Sequence, residues 1–547
     1  MKQKRIALLL LITLVSRLLV SAQAAATAPA PNAPKTLTEL QTRISEVLAK
    51  PELTPAMVGV KITSLDTGRV LFEENAAKLL RPASNMKLYT VATALDKLSP
   101  DYRFKTSVYA STRPDNSGVI RGDVTIYGRG DPSFAARFNN GDYLKAINDL
   151  AAHIASAGVK RVEGDLVGDE SYFVGPKYGA GWEWEDLTWS YGAEISPLSV
   201  NDNALDLFIK PGPALGQLAL ITTGPPDPLL TIINKVTTAS KGTKREFSIH
   251  RGLGENTVTI VGKIPLEDPG YTGAVAISHP ALLFVYLLRA ALAQKGVVIT
   301  GKSRTTGTVN QPILPPIPEI ANVIGAPLPK VQVEITTFES PPFNLIAAQT
   351  LKPSQNLYTE LILRTLGTIT PPPPTMAPLR QTSEDLGLEA VKSFLKSAGI
   401  QAESLRLNDG SGLSRDDMIT AEATVQLLTF MNKHRYADVF RAALPVAGVD
   451  GTLRNRMRGT PAQNNVRAKT GSLSSAASLG GYVTTAAGEK LAFAIIVNNY
   501  GPDVEPRLIC IDPIAVLLAS FSGKSDAPTT TTTSGTKPPD KPNPELK

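Results

Sequence analysis

The sequence predicts an α/β (α+β) protein in which an antiparallel sheet flanked by helices is split by a mainly β insertion. A strand-like run over 57–64 lies near one end of the chain, and two runs over 480–485 and 491–497 form a hairpin near the other end. Between about residues 102 and 334 the chain consists mostly of short alternating strands rich in Gly, Asp and Pro. Strands from both ends of the chain are therefore expected to complete one sheet between helices.

The predicted elements follow from local patterns of hydrophobic period and turn residues. In chain order they are a helix over 37–48, strands over 57–64 and 69–72 joined by Asp66-Thr-Gly68, a helix after Ser84, the insertion with one helix over 142–157 and another over 281–295, a Pro-rich connector over 311–330, helices from Pro342 onward, the hairpin, a closing helix within 505–520 and a disordered tail from Lys524.

Composition indicates a soluble protein of several domains. The chain has 547 residues with 42% hydrophobic content, and length alone favours about three or four domains. The only cysteine, Cys510, lies in an apolar run and is expected to be a buried small side chain, so no disulfide is expected. The four histidines lack metal-ligand spacing, and no pattern nominates a histidine-based triad. We therefore expect no metal and no other cofactor.

The first 24 residues have the features of a cleaved signal peptide. Three basic residues precede the apolar run 6–15, Arg17 interrupts the hydrophobicity, and Ala22-Gln-Ala24 matches a signal-peptidase site. We expect an exported protein, periplasmic or extracellular, with a mature start near Ala25 and no stable membrane anchor. Cleavage removes four basic residues and no acidic ones, so the formal net charge falls from +7 to +3. Nucleic-acid binding has no support at that charge.

A serine and a lysine stand three residues apart where a helix is predicted to begin, in Arg81-Pro-Ala-Ser84-Asn-Met-Lys87. At this spacing both side chains share one helical face. A serine hydroxyl needs a base to become a nucleophile, and an amine can serve when its surroundings lower its pKa. Ser84 is therefore the predicted nucleophile and Lys87 its predicted base. The same spacing recurs in Ser393-Phe-Leu-Lys396 on the outer face of an amphipathic segment, so spacing alone is weak evidence.

Two further short motifs follow Ser84 in the chain. Lys469-Thr470-Gly471-Ser472 occurs once, ahead of the predicted hairpin. Ser-x-Asn occurs twice, as Ser354-Gln-Asn356 and as Ser199-Val-Asn201. We favour Ser354, because Pro353 precedes it and a helical run follows it, which places its side chain at a helix start.

These three motifs together are typical of serine acyl-transferases that recognise penicillin. With Gly-Trp182-Glu-Trp, the segment Tyr191-Gly-Ala-Glu-Ile-Ser-Pro-Leu-Ser-Val-Asn-Asp-Asn203 and the loop Asp409-Gly-Ser-Gly-Leu-Ser-Arg415, the sequence resembles the D-alanyl-D-alanine carboxypeptidase/endopeptidase family, the class C low-molecular-mass penicillin-binding proteins. The resemblance implies a β-lactamase/transpeptidase-like catalytic domain over 36–101 and 335–522, an inserted β-rich domain over 102–172 and 261–334, a second over 173–260, and a tail over 523–547.

The resemblance also implies a role for each motif residue. Ser84 attacks the carbonyl of the penultimate D-alanine of a peptidoglycan stem peptide, Lys87 accepts its proton, and an acyl-enzyme forms that water hydrolyses. Ser354 passes a proton to the leaving amine, and Asn356 holds the substrate amide and the Lys87 amine. The substrate carboxylate is bound by Lys469, Thr470 and Ser472, next to Gly471. β-Lactam antibiotics are the implied covalent inhibitors.

Two residues outside the three motifs are weaker candidates for substrate binding. Arg415 matches the arginine of the family's Gly-Ser-Gly-Leu-Ser-Arg loop and is a candidate contact for the substrate side chain. Asp169 is a candidate for an amino group on that side chain, although a turn residue is the simpler interpretation. Two other function classes stay open: a β-lactamase or esterase with the same site, and a wall-binding scaffold whose site is vestigial. The sequence leaves the oligomeric state open.

Overall fold

Strands from the two ends of the chain form one antiparallel sheet of five strands, as predicted. The computed structural model describes residues 33–225, 229–307, 332–377 and 381–526. Met57 pairs with Asn498 and Ser64 pairs with Leu491, which joins the first strand to the C-terminal hairpin. The strand order is Arg467–Leu473, Ala476–Thr484, Lys490–Asn498, Met57–Ser64 and Val70–Glu74. Arg467–Leu473 is therefore an edge strand.

Helices cover both faces of this sheet because alternate strand residues point to opposite sides. Along Lys490–Asn498, Ala492, Ala494 and Ile496 pack into one hydrophobic core, and Leu491, Phe493 and Ile495 pack into another. Helices Leu37–Leu48 and Asp512–Ser520 lie in the second core, the latter preceded by a π-helical turn over Arg507–Ile511. The helices on the first face are Met86–Leu98, Phe343–Leu351, Asn356–Thr368, Ser383–Ser397, Ala421–Lys433 and Ala437–Ala443.

The insertion begins with a mixed sheet of five strands. Val124–Tyr127 and Leu166–Asp169 pair in parallel, and helix Lys145–Ser156 makes the connection that parallel strands require. The strand order is Ser303–Thr306, Leu166–Asp169, Val124–Tyr127, Lys105–Ala110 and Val333–Glu339. Helix Pro280–Gln294 packs against this sheet, and a small parallel sheet consists of Val298–Ile299, Arg161–Glu163 and Val119–Arg121.

The second part of the insertion consists of two sheets of three strands. The first has the order Tyr271–Ala276, Ala204–Lys210 and Leu220–Gly224, and the second has the order Thr231–Ala239, Thr257–Pro265 and Glu246–Arg251. Because its first strand, Ala204–Lys210, pairs with its last strand, Tyr271–Ala276, this unit begins at about residue 204 and ends at about residue 276. The bounds of 173 and 260 stay predictions, and the later one falls within the strand Thr257–Pro265.

Other sequence predictions concern Cys510, the C-terminal tail, the signal peptide and the Pro-rich connector. Cys510 is fully buried, and burial raises the pKa of its thiol to about 12. Near the start of the predicted tail, Ser525 is buried and its backbone N–H donates to Glu489 at 3.1 Å. The signal peptide over 1–24 and the connector over 311–330 lie outside the described residues. Within the described ranges, no helix has both the length and the hydropathy needed to cross a bilayer.

Candidate active site

Ser84 and Lys87 lie at the start of the helix Met86–Leu98, which we call the nucleophile helix. A 3-10 turn over Ala83–Asn85 leads into it, and Ala83 adopts a φ of 47°, a left-handed conformation that is strained for alanine. The second copy of the spacing differs completely, because Ser393 and Lys396 lie on the exposed face of helix Ser383–Ser397. Burial therefore distinguishes the two copies, since Lys87 is buried and Lys396 is exposed.

The Lys87 amine is fully buried and has three oxygen neighbours. Its Nζ lies 2.8 Å from Ser84 Oγ, 2.6 Å from Asn356 Oδ1 and 2.7 Å from the carbonyl oxygen of Ser411. Asn356 Nδ2 donates to the Tyr191 carbonyl at 2.9 Å, which fixes Oδ1 toward Lys87. Asn356 Oδ1 and the Ser411 carbonyl can only accept hydrogen bonds. A neutral amine that gives its two N–H groups to these acceptors keeps its lone pair for the Ser84 hydroxyl.

Burial also gives Lys87 the protonation behaviour of a base. Desolvation lowers the pKa of Lys87 from 10.5 to about 7, although the charges of Asp409, Glu360 and Asp417 act in the opposite direction. A base is most effective when its pKa lies near the working pH. The amine can therefore be neutral at neutral pH and accept a proton from Ser84.

Asp409 shapes the loop that brings the Ser411 carbonyl to Lys87. Its carboxylate accepts hydrogen bonds from four successive backbone N–H groups at 2.5–3.0 Å, those of Ser411, Gly412, Leu413 and Ser414. It also accepts one from Trp182 Nε1 at 2.8 Å. A Cβ on Gly412 would lie 1.9 Å from the Ala83 carbonyl oxygen, so only glycine lets this loop reach the nucleophile turn. No pattern in the sequence of this loop predicts a role for Asp409.

Lys469 lies on the edge strand Arg467–Leu473 and bonds to the serine of the second motif. Its Nζ is 2.7 Å from Ser354 Oγ and 2.7 Å from the carbonyl oxygen of Thr470. Burial is the largest cause that lowers the pKa of Lys469 well below its usual value, and the positive charges of Lys87 and Arg456 add to it. Ser354 adopts a φ of 65° just before helix Asn356–Thr368.

Gly471 lets the edge strand pass close to the nucleophile turn. A Cβ at this position would lie 2.5 Å from the Pro82 carbonyl oxygen and 2.2 Å from Ser478 Oγ. Thr470 Oγ1 donates to Thr452 Oγ1 at 2.8 Å. Ser472 is exposed and lines a cleft of about 460 Å³ together with Ser84.

The cleft is lined by residues of the catalytic motifs and by a charged wall, which consists of Glu183, Glu185, Asp186 and Arg415. Ser84, Ser354, Asn356 and Ser472 line it, with Lys87 and Lys469 buried behind Ser84 and Ser354. The structure thus brings the three motifs together. The other lining residues are Glu183, Glu185, Asp186, Trp189, Tyr191, Gly412, Leu413, Arg415 and Ser474.

The charged wall holds the predicted Arg415 and three acidic residues that the sequence analysis missed. The Arg415 guanidinium donates to the carboxylate of Asp186 and lies 3.0 Å from Glu183. Asp186 and Glu183 belong to the segment after Trp182, which was noticed for its tryptophans alone. The charged spacing Glu183-x-Glu185-Asp186 is the signal that could have nominated them.

Asp169 and Ser199 lie outside the cleft. Among the described residues, Asp169 is not part of the cleft lining, and its carboxylate accepts a hydrogen bond from the Ser171 backbone N–H at 2.9 Å. Asp169 ends the strand Leu166–Asp169, and its contact with substrate stays a prediction. Ser199, the alternative serine, is buried and donates to the Ser196 carbonyl at 2.7 Å. In the part of the chain that the structure describes, no three His, Cys, Asp or Glu residues form a metal site.

Comparisons with known proteins find relatives that match most of this chain. The D-alanyl-D-alanine carboxypeptidase of Actinomadura sp. (strain R39) is 33% identical over 500 residues, which cover 89% of this chain and 86% of the relative. The D-alanyl-D-alanine carboxypeptidase DacB of Haemophilus influenzae is 24% identical over 454 residues, which cover 82% of this chain and 87% of the relative.

A solved structure and a family model extend the comparison. The crystal structure of penicillin binding protein 4 from Haemophilus influenzae matches with a TM-score of 0.70 at 22% identity, over 86% of this chain and 97% of that chain, which shows a shared fold. The family model described as D-Ala-D-Ala carboxypeptidase 3 (S13) matches residues 40–520. The resemblance seen in the sequence is confirmed, and the chain belongs to the D-Ala-D-Ala carboxypeptidase 3 (S13) family.

Proposed function

We propose that this protein is a serine DD-peptidase that hydrolyses the bond between two D-alanine residues of a peptidoglycan stem peptide. The observation that carries the proposal is the set of hydrogen bonds around Lys87. Two obligate acceptors, Asn356 Oδ1 and the Ser411 carbonyl, use its N–H groups, and the Ser84 hydroxyl occupies the remaining direction. This arrangement suits transfer of a proton from Ser84 to Lys87 as Ser84 attacks a carbonyl.

The other two motifs supply the remaining steps. Ser354, hydrogen-bonded to Lys469, delivers a proton to the leaving amine of the terminal D-alanine. The backbone N–H groups of Ser84 and Ser472 stabilise the oxyanion of the tetrahedral intermediate. Water then attacks the ester carbonyl of the acyl-enzyme, which releases the shortened peptide and restores Ser84.

Lys469 is suited to bind the terminal carboxylate of the substrate. Within the described residues its hydrogen-bond partners are the Ser354 hydroxyl and the Thr470 carbonyl, and no carboxylate forms an ion pair with it. Burial without a counter-charge is what lowers the pKa of Lys469. A bound substrate carboxylate would supply that counter-charge and favour the ammonium form. Ser472 lines the same cleft and adds a hydroxyl group.

The charged wall favours a substrate side chain that carries an ammonium group. Glu183, Glu185 and Asp186 place three carboxylates in the cleft against the single guanidinium of Arg415. The excess of negative charge would attract a diamino acid at the third position of the stem peptide. Asp186 takes the role that the sequence analysis gave to Asp169.

Covalent labelling with a fluorescent penicillin tests the proposal. Ser84→Ala should abolish labelling, because the ester forms on Ser84 Oγ. Ser393→Ala is the matched control, since Ser393 has the same spacing to a lysine but lies on an exposed helix face, and it should label like the wild type. Labelling of Ser84→Ala at one site would contradict the proposal. Release of D-alanine from a pentapeptide and cleavage of a cross-linked dimer then separate carboxypeptidase from endopeptidase activity.

We also propose that the protein works outside the cytoplasm, where peptidoglycan lies. The basic and apolar pattern of the first 24 residues supports export, and residues Ala22-Gln-Ala24 support cleavage near Ala25. N-terminal sequencing of protein isolated from the cell envelope tests this proposal. A mature chain that still begins at Met1 would contradict it.

A further inference from the structure

A second cavity of about 330 Å³, which we call the side cavity, lies next to the catalytic cleft. The two spaces share two walls. Trp189 and Tyr191 line the cleft while Ser190 lines the side cavity, and Ser354 and Asn356 line the cleft while Gln355 lines the side cavity. A volume of this size lies at the lower end of the range for small-molecule pockets, roughly 300–1,000 Å³. A substrate held in the cleft can therefore have a further group within reach of the side cavity.

The charged groups of the side cavity already have partners inside the protein. Arg137 pairs with Asp202, which also accepts a hydrogen bond from the Tyr358 hydroxyl. The Tyr143 hydroxyl donates to Asp206. A charged ligand group would have to compete with these pairs. Hydroxyl and amide groups can use the remaining lone pairs and N–H groups without breaking them.

Neutral polar side chains in the same wall keep hydrogen-bonding capacity. Asn201 is only 7% exposed, its Nδ2 donates to the Tyr143 carbonyl at 3.2 Å, and its buried Oδ1 has no hydrogen-bond partner among the described residues. A buried acceptor without a partner is costly and marks a place where a donor binds. Gln355 uses Oε1 to accept from the Leu357 backbone N–H at 2.9 Å, and its Nε2 can serve another partner.

The backbone at this wall is strained. Asn201, Asp202 and Asn203 have φ values of 47°, 59° and 51°, three successive left-handed residues. Such conformations cost free energy and concentrate at ligand sites. Asn203 is held by its own hydrogen bonds, with Oδ1 accepting from Val200 N at 2.9 Å and Nδ2 donating to the Glu194 carbonyl at 2.7 Å. The strained segment thus presents Asn201 to the cavity in a fixed orientation.

We propose that the side cavity binds an N-acetylated sugar of the peptidoglycan glycan strand that carries the stem peptide. Stem peptides bear carboxylate and ammonium groups, whereas N-acetylated sugars offer hydroxyl groups and one neutral amide, which match the paired charges and free neutral groups of the wall. A sugar hydroxyl or acetamido N–H donates to Asn201 Oδ1, and Tyr143 provides an aromatic surface. This assignment rests on the proposed function for its substrate, but its binding test does not require catalysis.

Ligand-observed NMR with the neutral disaccharide of N-acetylglucosamine tests binding directly. The wild type should give saturation-transfer signals from the acetamido groups, and Asn201→Gly should lose them. Glycine suits the φ of 47° at this position, so the change removes the amide and keeps the backbone. Ala274→Leu, which fills the cavity from its strand, should also abolish the signals. Ala214→Leu is the control, since Ala214 is exposed in a loop of the same inserted unit.

Kinetics then connect the cavity to turnover. For a disaccharide-pentapeptide, Asn201→Gly should lower kcat/KM by about fivefold to tenfold, the loss of one neutral hydrogen bond. For the sugar-free pentapeptide the same variant should match the wild type. Equal effects on both substrates, or absent disaccharide binding, would overturn the proposal. A selective loss on a sugar-free cross-linked dimer would assign the cavity to peptide instead and would also overturn it. If the wild type cleaves neither substrate, the proposed function fails, whereas the binding test still decides the cavity.

Discussion

The two buried lysines of the site, Lys87 and Lys469, have the same side chain and opposite surroundings. Each is fully buried and hydrogen-bonded to a serine hydroxyl, at 2.8 Å for Ser84 and 2.7 Å for Ser354. Carboxylates near Lys87 offset part of its desolvation, and its pKa falls to about 7. Positive charges near Lys469 add to its desolvation. These surroundings suit Lys87 to act as a base in the free enzyme. Lys469 lacks a counter-charge, which a bound anion would supply.

Replacing Lys87 should have the largest effect on this comparison. Lys87→Ala removes the base, and acylation of Ser84 by penicillin should slow by about 10³- to 10⁴-fold. The second-order rate constant for labelling measures this, with thermal unfolding as a check that the variant folds. Lys396→Ala, at the exposed copy of the same spacing, should keep the wild-type rate. A Lys87→Ala rate within tenfold of the wild type would remove Lys87 from the role of base.

Replacing Lys469 should have a smaller effect that depends on the substrate. Lys469→Ala should lower kcat/KM for a D-Ala-D-Ala peptide by roughly 10²- to 10³-fold, as for loss of one charged transition-state contact. The same variant should lose much less activity on a peptide whose terminal carboxylate is converted to a carboxamide, because the anion is then absent. Equal losses on both peptides would show that Lys469 does not bind the carboxylate.

The pH dependence of acylation tests Lys87 as the base. Lys87 acts as a base only when neutral, and burial lowers its pKa to about 7. For the carboxamide peptide, which lacks the anion that Lys469 binds, kcat/KM should therefore fall about tenfold per pH unit well below pH 7 and level off above it. An unperturbed lysine of pKa 10.5 would instead make the rate rise up to pH 10. Acylation rates between pH 5 and 10 distinguish these outcomes. A profile without an inflection between pH 6 and 8 would contradict the assignment of Lys87.

Local patterns predicted one part of this site well. The spacing of Ser84 and Lys87, the buried nucleophile helix and the two-ended sheet are all legible from hydrophobic period and turn residues. The meeting of residues 84, 354 and 469 came from the resemblance to a family, because no local rule brings together positions hundreds of residues apart. The third partner of Lys87, the Ser411 carbonyl, is a backbone group, and a motif defined by side chains does not predict it.

The features that the sequence did not reveal have equally specific causes. Asp169 ends a strand and looked available, but its carboxylate is used by the Ser171 backbone N–H. Asp186 faces the cleft because Arg415, from a loop more than 200 residues later, pairs with it. The sequence did not show that Ala204–Lys210 pairs with Tyr271–Ala276 across the whole second unit, because pairing between strands so far apart has no local signal.

Replacing the two carboxylates near Lys87, those of Glu360 and Asp409, should give the smallest effects on acylation, and the two variants should differ from each other. Glu360 is fully buried, burial raises its pKa well above its usual value, and its Oε1 accepts from the Gly410 backbone N–H at 3.1 Å. A raised pKa favours the protonated carboxyl group of Glu360, which resembles an amide, so Glu360→Gln should change the acylation rate less than about threefold. Asp409→Asn, by contrast, places an NH₂ group against backbone N–H donors, disturbs the loop that carries the Ser411 carbonyl and should slow acylation by about tenfold or more. Measured rates at pH 7 that fall equally in both variants would mean that Glu360 is ionised beside Lys87, and that the amine is held by two buried charges.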